Sequence, residues 1–297
     1  RHKVFFRRPR TVVHHKNQFY PLDSPRAVLS FPGFKPLDRI RFAAVLAFIK
    51  AWPDGVALEK YTAEDWMQKW MGASTYRAMI QPLLVSKFGK RYSRQVTMAW
   101  MWARLHSRTS RLGTFEGGFQ AFIDILSERV RTQGGAIHLK TPISRVMRGP
   151  LGGWTLQTPI GPQTFDQCVA TVSPQQMSGL APQLPRAYRK QLLNLRSMGA
   201  LVMVLALDRQ LTDVYWYNLP KQAGFPFLAL VEHTNFVPPE HFGGDHLIYC
   251  GDYLRPDHKH FELSKEELLD LWVRQVAIGV YLVIQRHRST ISGNRRH

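Results

Sequence analysis

Residues 116–146 read EGGFQAFIDILSERVRTQGGAIHLKTPISRV, and this stretch decides the predicted fold. Between its two Gly-Gly pairs, apolar residues recur at helical spacing: Phe119, Phe122, Ile123, Leu126 and Val130. The spacing predicts an amphipathic helix over 117–133 that stops at Gly134 and Gly135. The following residues, 136–149, have the composition of strands, so a helix here leads directly into a sheet.

Downstream of this stretch, most apolar runs are typical of β-strands. Residues 152–159 continue a meander, and FDQCVATVSP at 165–174 predicts a buried strand that ends in a turn. Four further runs predict a mostly antiparallel sheet: residues 201–207, 214–219, 225–234 and 246–254. Residues 185–195 predict a short helix. Residues 264–276 predict another helix, with Ser264 and Glu267 as a capping box.

The upstream residues 36–109 predict a block of helices rich in Trp and Met. Asp38, Thr62 and Ser93 each precede an apolar-periodic run, so each is predicted to cap a helix. Asp65 stands three residues after Thr62, in the capping-box position.

The composition predicts a globular protein, because 44% of its 297 residues are hydrophobic. The net charge of +19 raises nucleic acid or an anionic membrane as partners. The densest basic stretches lie at the ends, in residues 1–16 and 285–297, rather than within one structured element. We therefore expect no specific nucleic-acid binding. Residues 285–297 have neither apolar period nor core residues, which predicts a disordered tail.

Cys168 and Cys250 lie singly within apolar runs, which predicts buried, reduced thiols and a cytoplasmic location. The histidines lack the helical spacing and nearby cysteines of metal sites, so no metal is expected. Glu232 and Asp252 fall inside predicted strands. Their side chains either orient a substrate or lie on exposed strand faces.

Four segments in order resemble the internal flavin-domain region of one family, which includes flavin amine oxidases, protoporphyrinogen oxidase and phytoene desaturases. The segments are EGGF at 116–119, GGAIHL at 134–139, PISRV at 142–146 and FDQCVATVSP at 165–174. The resemblance extends over residues 4–283. It implies an α+β, two-domain flavoprotein of the amine oxidase type.

The family pattern also implies a division of the chain. Residues 1–25 and 111–175 are expected to belong to a discontinuous FAD-binding domain, and 263–284 to form a helix leading back to it. Residues 26–110 are expected to form a helical lobe of the substrate domain, and 176–262 its sheet.

The cofactor implied by the resemblance is FAD, which would contact six residues: Gly117, Gly118, Ile143, Thr171, Val172 and Ser173. Adjacent glycines let the backbone approach a bulky ligand and leave helix N-terminal amides free for negative charge. The aromatic cluster of the predicted sheet is expected to line a substrate cavity: Tyr215, Trp216, Tyr217 and Phe227. Core packing is the alternative role for each of these rings. The catalytic residues are not identified.

The implied function is an FAD-dependent oxidoreductase that oxidises or desaturates a small hydrophobic substrate by two-electron transfer. An amine, a porphyrinogen or a polyene fits this class, and peripheral membrane association is expected with it. A sugar-nucleotide mutase on a related flavin fold is a nearby alternative. Residues 1–60 lack the family's G-x-G-x-x-G turn, which predicts an internal fragment that is inactive alone. A relative without flavin, or a basic nucleic-acid-binding protein, remains as an alternative.

Overall fold

The computed structural model describes residues 4–149 and 152–274. Its chain divides into two compact units. The larger unit comprises residues 1–116 and 198–297, and the smaller unit comprises 117–197. The predicted tail at 285–297 and the end of the predicted helix at 263–284 lie outside the described residues. The predicted FAD and substrate domain boundaries stay predictions.

The first half of the larger unit is mainly helical. Its helices are α1 (Pro25–Leu29), α2 (Pro36–Ala51), α3 (Ala63–Met71), α4 (Ala73–Thr75), α5 (Gln81–Ser93) and α6 (Met98–His106). A π-helical turn, Tyr76–Ile80, joins α4 to α5. Thr62 caps α3 as predicted, because its hydroxyl accepts a hydrogen bond from the Asp65 amide at 3.1 Å.

Two of the predicted caps are wrong. Asp38 lies in the first turn of α2 and its carboxylate accepts a hydrogen bond from the Ser74 hydroxyl. Ser93 ends α5, and Thr97 caps α6 instead. The reason is non-local: residues 61–63 and 96–98 pair in antiparallel fashion, with Met98 donating to the Tyr61 carbonyl at 2.8 Å. That pairing fixes where α6 begins.

The larger unit also contains a six-stranded sheet and a two-stranded one. The strands are β1 (Val4–Arg7), β2 (Thr11–His15), β3 (Gln18–Pro21), β4 (Leu112–Phe115), β8 (Gly199–Leu207), β9 (Trp216–Asn218), β10 (Ala229–Glu232) and β11 (His246–Leu254). The large sheet has the order β3-β2-β9-β10-β11-β8, and β1 pairs with β4. All neighbours in the large sheet are antiparallel except β2 and β9. The prediction of a mostly antiparallel sheet is confirmed.

Each half of the larger unit packs its own core. The helical core is centred on fully buried Ile49, Met67, Met71 and Met98. The sheet core contains Phe227, Ile248, Cys250 and Trp272. Trp272 belongs to helix α10 (265–274), which Ser264 and Glu267 cap through reciprocal hydrogen bonds of 3.1 and 2.8 Å. The capping box predicted from the sequence is therefore confirmed.

In its described residues, the smaller unit combines three helices with a three-stranded meander. Its elements are α7 (Gly118–Thr132), β5 (Arg145–Arg148), β6 (Trp154–Thr158), β7 (Gly161–Phe165), α8 (Pro174–Leu180) and α9 (Arg186–Asn194). The predicted helices at 117–133 and 185–195 are confirmed. The meander order β5-β6-β7 is antiparallel throughout.

The predicted buried strand at 165–174 is wrong. Strand β7 ends at Phe165, and the residues that follow are irregular and mostly exposed, with Val169 at 89% exposure. Cys168 is accordingly only partly buried, contrary to the prediction. The run is apolar enough for a strand, but in the described residues it has no neighbouring strand to pair with. Residues 136–144, also predicted as extended strand, form no strand before β5.

Candidate functional site

The start of α7 has the backbone that the cofactor prediction requires. Gly117 is left-handed, with φ of 79°, and Gly118 also has a positive φ of 71°. A Cβ at Gly118 would meet no atom within 4 Å, so the space beside it is free. No side chain caps the helix and its first turn contains no acidic residue. The N-terminal amides of α7 can therefore meet a negatively charged group, which fits a dinucleotide phosphate.

Ile143 lies just before β5 and is partly buried. The next residue, Ser144, donates its amide to the Gln157 carbonyl at 3.0 Å, which holds this segment against β6. Within the described residues, the backbone of Ile143 forms no hydrogen bond of its own. Its amide and carbonyl thus fit the predicted role of meeting an adenine edge.

Thr171 and Val172 are exposed, and Ser173 is the N-cap residue that precedes α8. The Ser173 hydroxyl accepts from the Gln176 amide at 3.3 Å, while the Ser173 amide donates to the Gln176 side chain at 3.1 Å. Both polar groups of Ser173 are therefore used by a capping box, a role that the sequence reasoning missed. A Ser or Thr followed three residues later by Gln is the local signal for it.

Two of the predicted cofactor segments, Ile143 and residues 171–173, lie just before elements that contact each other. Helix α8 packs against β5. Just beyond α8, the Gln183 side chain donates to the Val146 carbonyl of β5 at 2.7 Å. The cofactor roles of all six predicted residues stay predictions, and Gly117 and Gly118 lie apart from these segments in the chain, at the start of α7.

The four predicted substrate-lining residues differ in accessibility. Tyr217 and Phe227 are buried in the sheet core, where the Phe227 ring meets Trp272 at 5.5 Å. Burial raises the pKa of Tyr217 to about 12. Trp216 is 36% exposed, and the partly buried Tyr215 packs against Phe236 at 5.3 Å. A ligand would reach Trp216 and Tyr215 first, and the lining role stays a prediction.

Glu232 and Asp252 are buried, so the alternative of exposed strand faces is wrong. The Glu232 carboxylate accepts hydrogen bonds from the amides of Leu211 and Thr212, each at 2.7 Å, and from the Thr212 hydroxyl at 3.0 Å. It thereby fixes the loop that follows β8. Asp252 pairs with Lys221 at 3.5 Å, and burial raises the pKa of its carboxyl.

Sequence reasoning also missed a cleft of about 1080 Å³ in the larger unit. Residues of the β2–β3 hairpin, the π-helical turn and α5 line it. The lining residues are far apart in the sequence, and the hairpin itself was not predicted.

Comparison with known proteins identifies the class of this chain. The sequence model of the family of flavin containing amine oxidoreductases matches residues 2–281, so the chain belongs to that family. The resemblance found in the sequence, the α+β fold class, the FAD-dependent oxidoreductase class and FAD as its cofactor are thereby confirmed. No curated protein matches the chain.

Solved structures share the fold at low sequence identity. An oxidoreductase from Methanosarcina mazei has 17% identity and a TM-score of 0.68, covering 94% of this chain and 67% of its own. A protein assigned as a protoporphyrinogen oxidase, from Exiguobacterium sp. 255-15, has 16% identity and a TM-score of 0.62, covering 94% and 66%. A putrescine oxidase bound to putrescine has 14% identity and a TM-score of 0.61, covering 95% and 65%. The chain spans about two thirds of the length of these structures.

In the part of the chain that the structure describes, no helix combines the length and apolar character needed to cross a bilayer.

Proposed function

We propose that the protein containing this chain is an FAD-dependent oxidoreductase that oxidises or desaturates a small hydrophobic substrate. An amine, a porphyrinogen or a polyene is the substrate class, as the sequence resemblance implies. The observation that carries the proposal is the family match, which covers residues 2–281. Peripheral association with an anionic membrane is part of the same proposal, supported by the net charge of +19.

The smaller unit would supply part of the cofactor site. The amides at the start of α7, where no side chain caps the helix, would hold negative charge of the dinucleotide, and the Ile143 backbone would meet the adenine. The capping box of Ser173 would fix the shape of the 171–173 turn beside the flavin. When bound, the flavin supplies the two-electron chemistry, and the chain supplies placement and exclusion of water.

The larger unit would supply part of the substrate site. Trp216 presents an accessible indole whose Nε1 donates to the Asn218 side chain at 3.1 Å, and this bond orients the ring. Tyr215 stands beside it at 6.2 Å between ring centroids. Two oriented aromatic rings favour an apolar substrate body, because they provide contact area at low entropic cost.

The test is FAD binding with a matched pair of glycine variants. Gly118→Val and Gly134→Val both place a side chain at a positive φ at one end of α7, and at both positions a Cβ meets no atom within 4 Å. Backbone strain is therefore similar, about 1–2 kcal/mol. Only Gly118→Val obstructs the proposed cofactor site.

Flavin absorbance at about 450 nm is measured on residues 1–297 and on the longest natural chain that contains them. We expect bound flavin in the longer chain, retention in Gly134→Val and loss in Gly118→Val. Absence of flavin bands in the longer chain, even with FAD added, would refute the proposal. Equal retention in both variants would refute the role of Gly118.

A further inference from the structure

The cleft of about 1080 Å³ in the larger unit has an apolar floor. Val13, Phe31, Tyr76 and Met79 line it, and all four are buried residues of the core. This volume is slightly larger than that of most ligand pockets, which is about 300–1,000 Å³. The cleft is therefore large enough to take a small organic molecule.

The rim of the same cleft is strongly basic. Its exposed lining residues include five cations: Lys16, Arg77, Lys90, Arg91 and Arg94. Of the lining residues that the structure describes, Glu64 alone is acidic, and it pairs with Arg94 at 3.7 Å. Among the described residues, the other four cations form no ion pair. A positive potential therefore remains at the mouth of the cleft.

Unusual backbone geometry presents these cations. Lys16 and Asn17 form the turn of the β2–β3 hairpin with φ of 48° and 62°. Asn adopts the left-handed region of backbone conformation readily, but for Lys this conformation is strained. Gly89 interrupts α5 with φ of 75° and ψ of 163°, directly before Lys90 and Arg91. Strained turns and π-helical segments such as Tyr76–Ile80 concentrate at functional sites.

Two histidines of the cleft have lowered pKa values. His14 and His15 both line it. Burial lowers the pKa of both rings, and the positive charge of Lys16 lowers the pKa of His15 further. The lowered pKa values favour the neutral form of both imidazoles, so the Lys and Arg side chains are the main cationic groups of the cleft.

We propose that this cleft binds an amphiphilic organic anion, with its apolar chain on the floor and its carboxylate or phosphate head at the basic rim. Charge complementarity selects the head, because Arg pairs with such groups through two parallel hydrogen bonds. The buried apolar floor selects the chain. We take the ligand to be a free small molecule, because its apolar chain has to enter the cleft to reach the buried floor residues. The inference is independent of flavin binding.

The experiment is calorimetric titration of the 297-residue chain with three probes below their aggregation concentrations: decyl phosphate, decanol and inorganic phosphate. We expect decyl phosphate to bind at least about tenfold more tightly than either of the others, because only it satisfies both floor and rim. Equal binding of decanol and decyl phosphate would overturn the proposal. So would inorganic phosphate that binds as tightly as decyl phosphate.

The rim is tested with the double variant Arg77→Gln/Arg91→Gln and with Arg39→Gln as a control. Arg39 is an exposed arginine of α2 outside the cleft. We expect the double variant to lose roughly tenfold or more in affinity and the control to lose none, since only the double variant removes charge-assisted hydrogen bonds to the head group. Thermal unfolding confirms that both variants fold. An unchanged affinity in a folded double variant would overturn the proposal.

Binding to anionic vesicles of phosphatidylserine is measured as well, because the anionic head group could belong to a free molecule or to a membrane lipid. We expect monomeric decyl phosphate to bind the protein when no vesicles are present. We expect the double variant Arg77→Gln/Arg91→Gln to bind it more weakly. If the protein binds only vesicles and no monomeric amphiphile, the proposed small-molecule site does not exist.

Discussion

The two units differ in how many of their side chains are buried. The larger unit has two cores with fully enclosed side chains such as Met67 and Trp272. In the described part of the smaller unit, only Val146, Ser178 and Ala181 are buried. Its apolar side chains are largely accessible, as Leu126 shows at 47% exposure. Burial stabilises the larger unit, whereas caps, turns and hairpins organise the smaller one.

The largest expected contrast is in thiol reactivity. Burial raises the pKa of Cys250 to about 12, whereas Cys168 of the smaller unit is partly accessible. At pH 8 we expect Cys250 in the folded protein to be alkylated at least about 100-fold more slowly than Cys168, because the thiolate is the nucleophile. Iodoacetamide labelling followed by mass spectrometry measures both rates. Faster labelling of Cys250 would contradict the burial of the sheet core.

The same shift has a consequence for stability. A thiol whose pKa is raised on folding stabilises the folded state fully below its unfolded value, about 8.5. That contribution is lost as the pH rises from there through the folded pKa of about 12. Unfolding midpoints above pH 9 should therefore fall with pH, and less so in Cys250→Ala than in the parent chain.

Truncating one apolar side chain in each unit tests the comparison directly. Met67→Ala empties a fully buried position and should cost about 3 kcal/mol of unfolding free energy. Leu126→Ala on α7 should cost less than about 1 kcal/mol, because its side chain is 47% exposed. Urea unfolding measures both. Equal losses would show that the smaller unit has a core of comparable strength.

Removing one glutamate from each unit compares a buried carboxylate with an exposed one. Glu232→Ala removes a buried carboxylate and leaves the partly buried amides of Leu211 and Thr212 without their acceptor, which should cost about 2 kcal/mol. Glu128→Ala on α7 removes only an exposed ion pair with Arg131 and should cost less than about 0.5 kcal/mol. Thermal unfolding compares them. A neutral Glu232→Ala would contradict its role in holding the loop after β8.

The smallest expected effect concerns two matching capping boxes. Ser173→Ala in the smaller unit and Ser264→Ala in the larger unit each remove one cap, worth about 1 kcal/mol. Hydrogen exchange should increase at the first turn of α8 more than at that of α10, where the buried Trp272 also holds the helix. Equal increases would mean that packing does not reinforce α10.

Local patterns predicted many elements correctly. The apolar period and flanking glycines located α7, and short polar signatures located the caps at Thr62 and Ser264. The order of family-like segments predicted the class of protein that the family match confirms. These signals are readable because helix caps and periodicity depend on residues within a few positions of one another.

Other features depended on partners far away in the chain. Strand β2 pairs in parallel with β9, about two hundred residues later, so the N-terminal hairpin joins the large sheet. No local pattern predicts that pairing. The apolar run after Phe165 lacked such a partner among the described strands and remained irregular.

The amino-acid sequence by itself determined the family, the main helices and strands, and the glycines at the start of α7, because these follow from local spacing and ordered motifs. Only the tertiary structure decided that Glu232 is buried and that Thr97 caps α6. It alone also decided that a basic rim surrounds an apolar cleft. Burial and charge clustering are properties of residues brought together from distant segments, and the free energy that unites them is spread over the whole core.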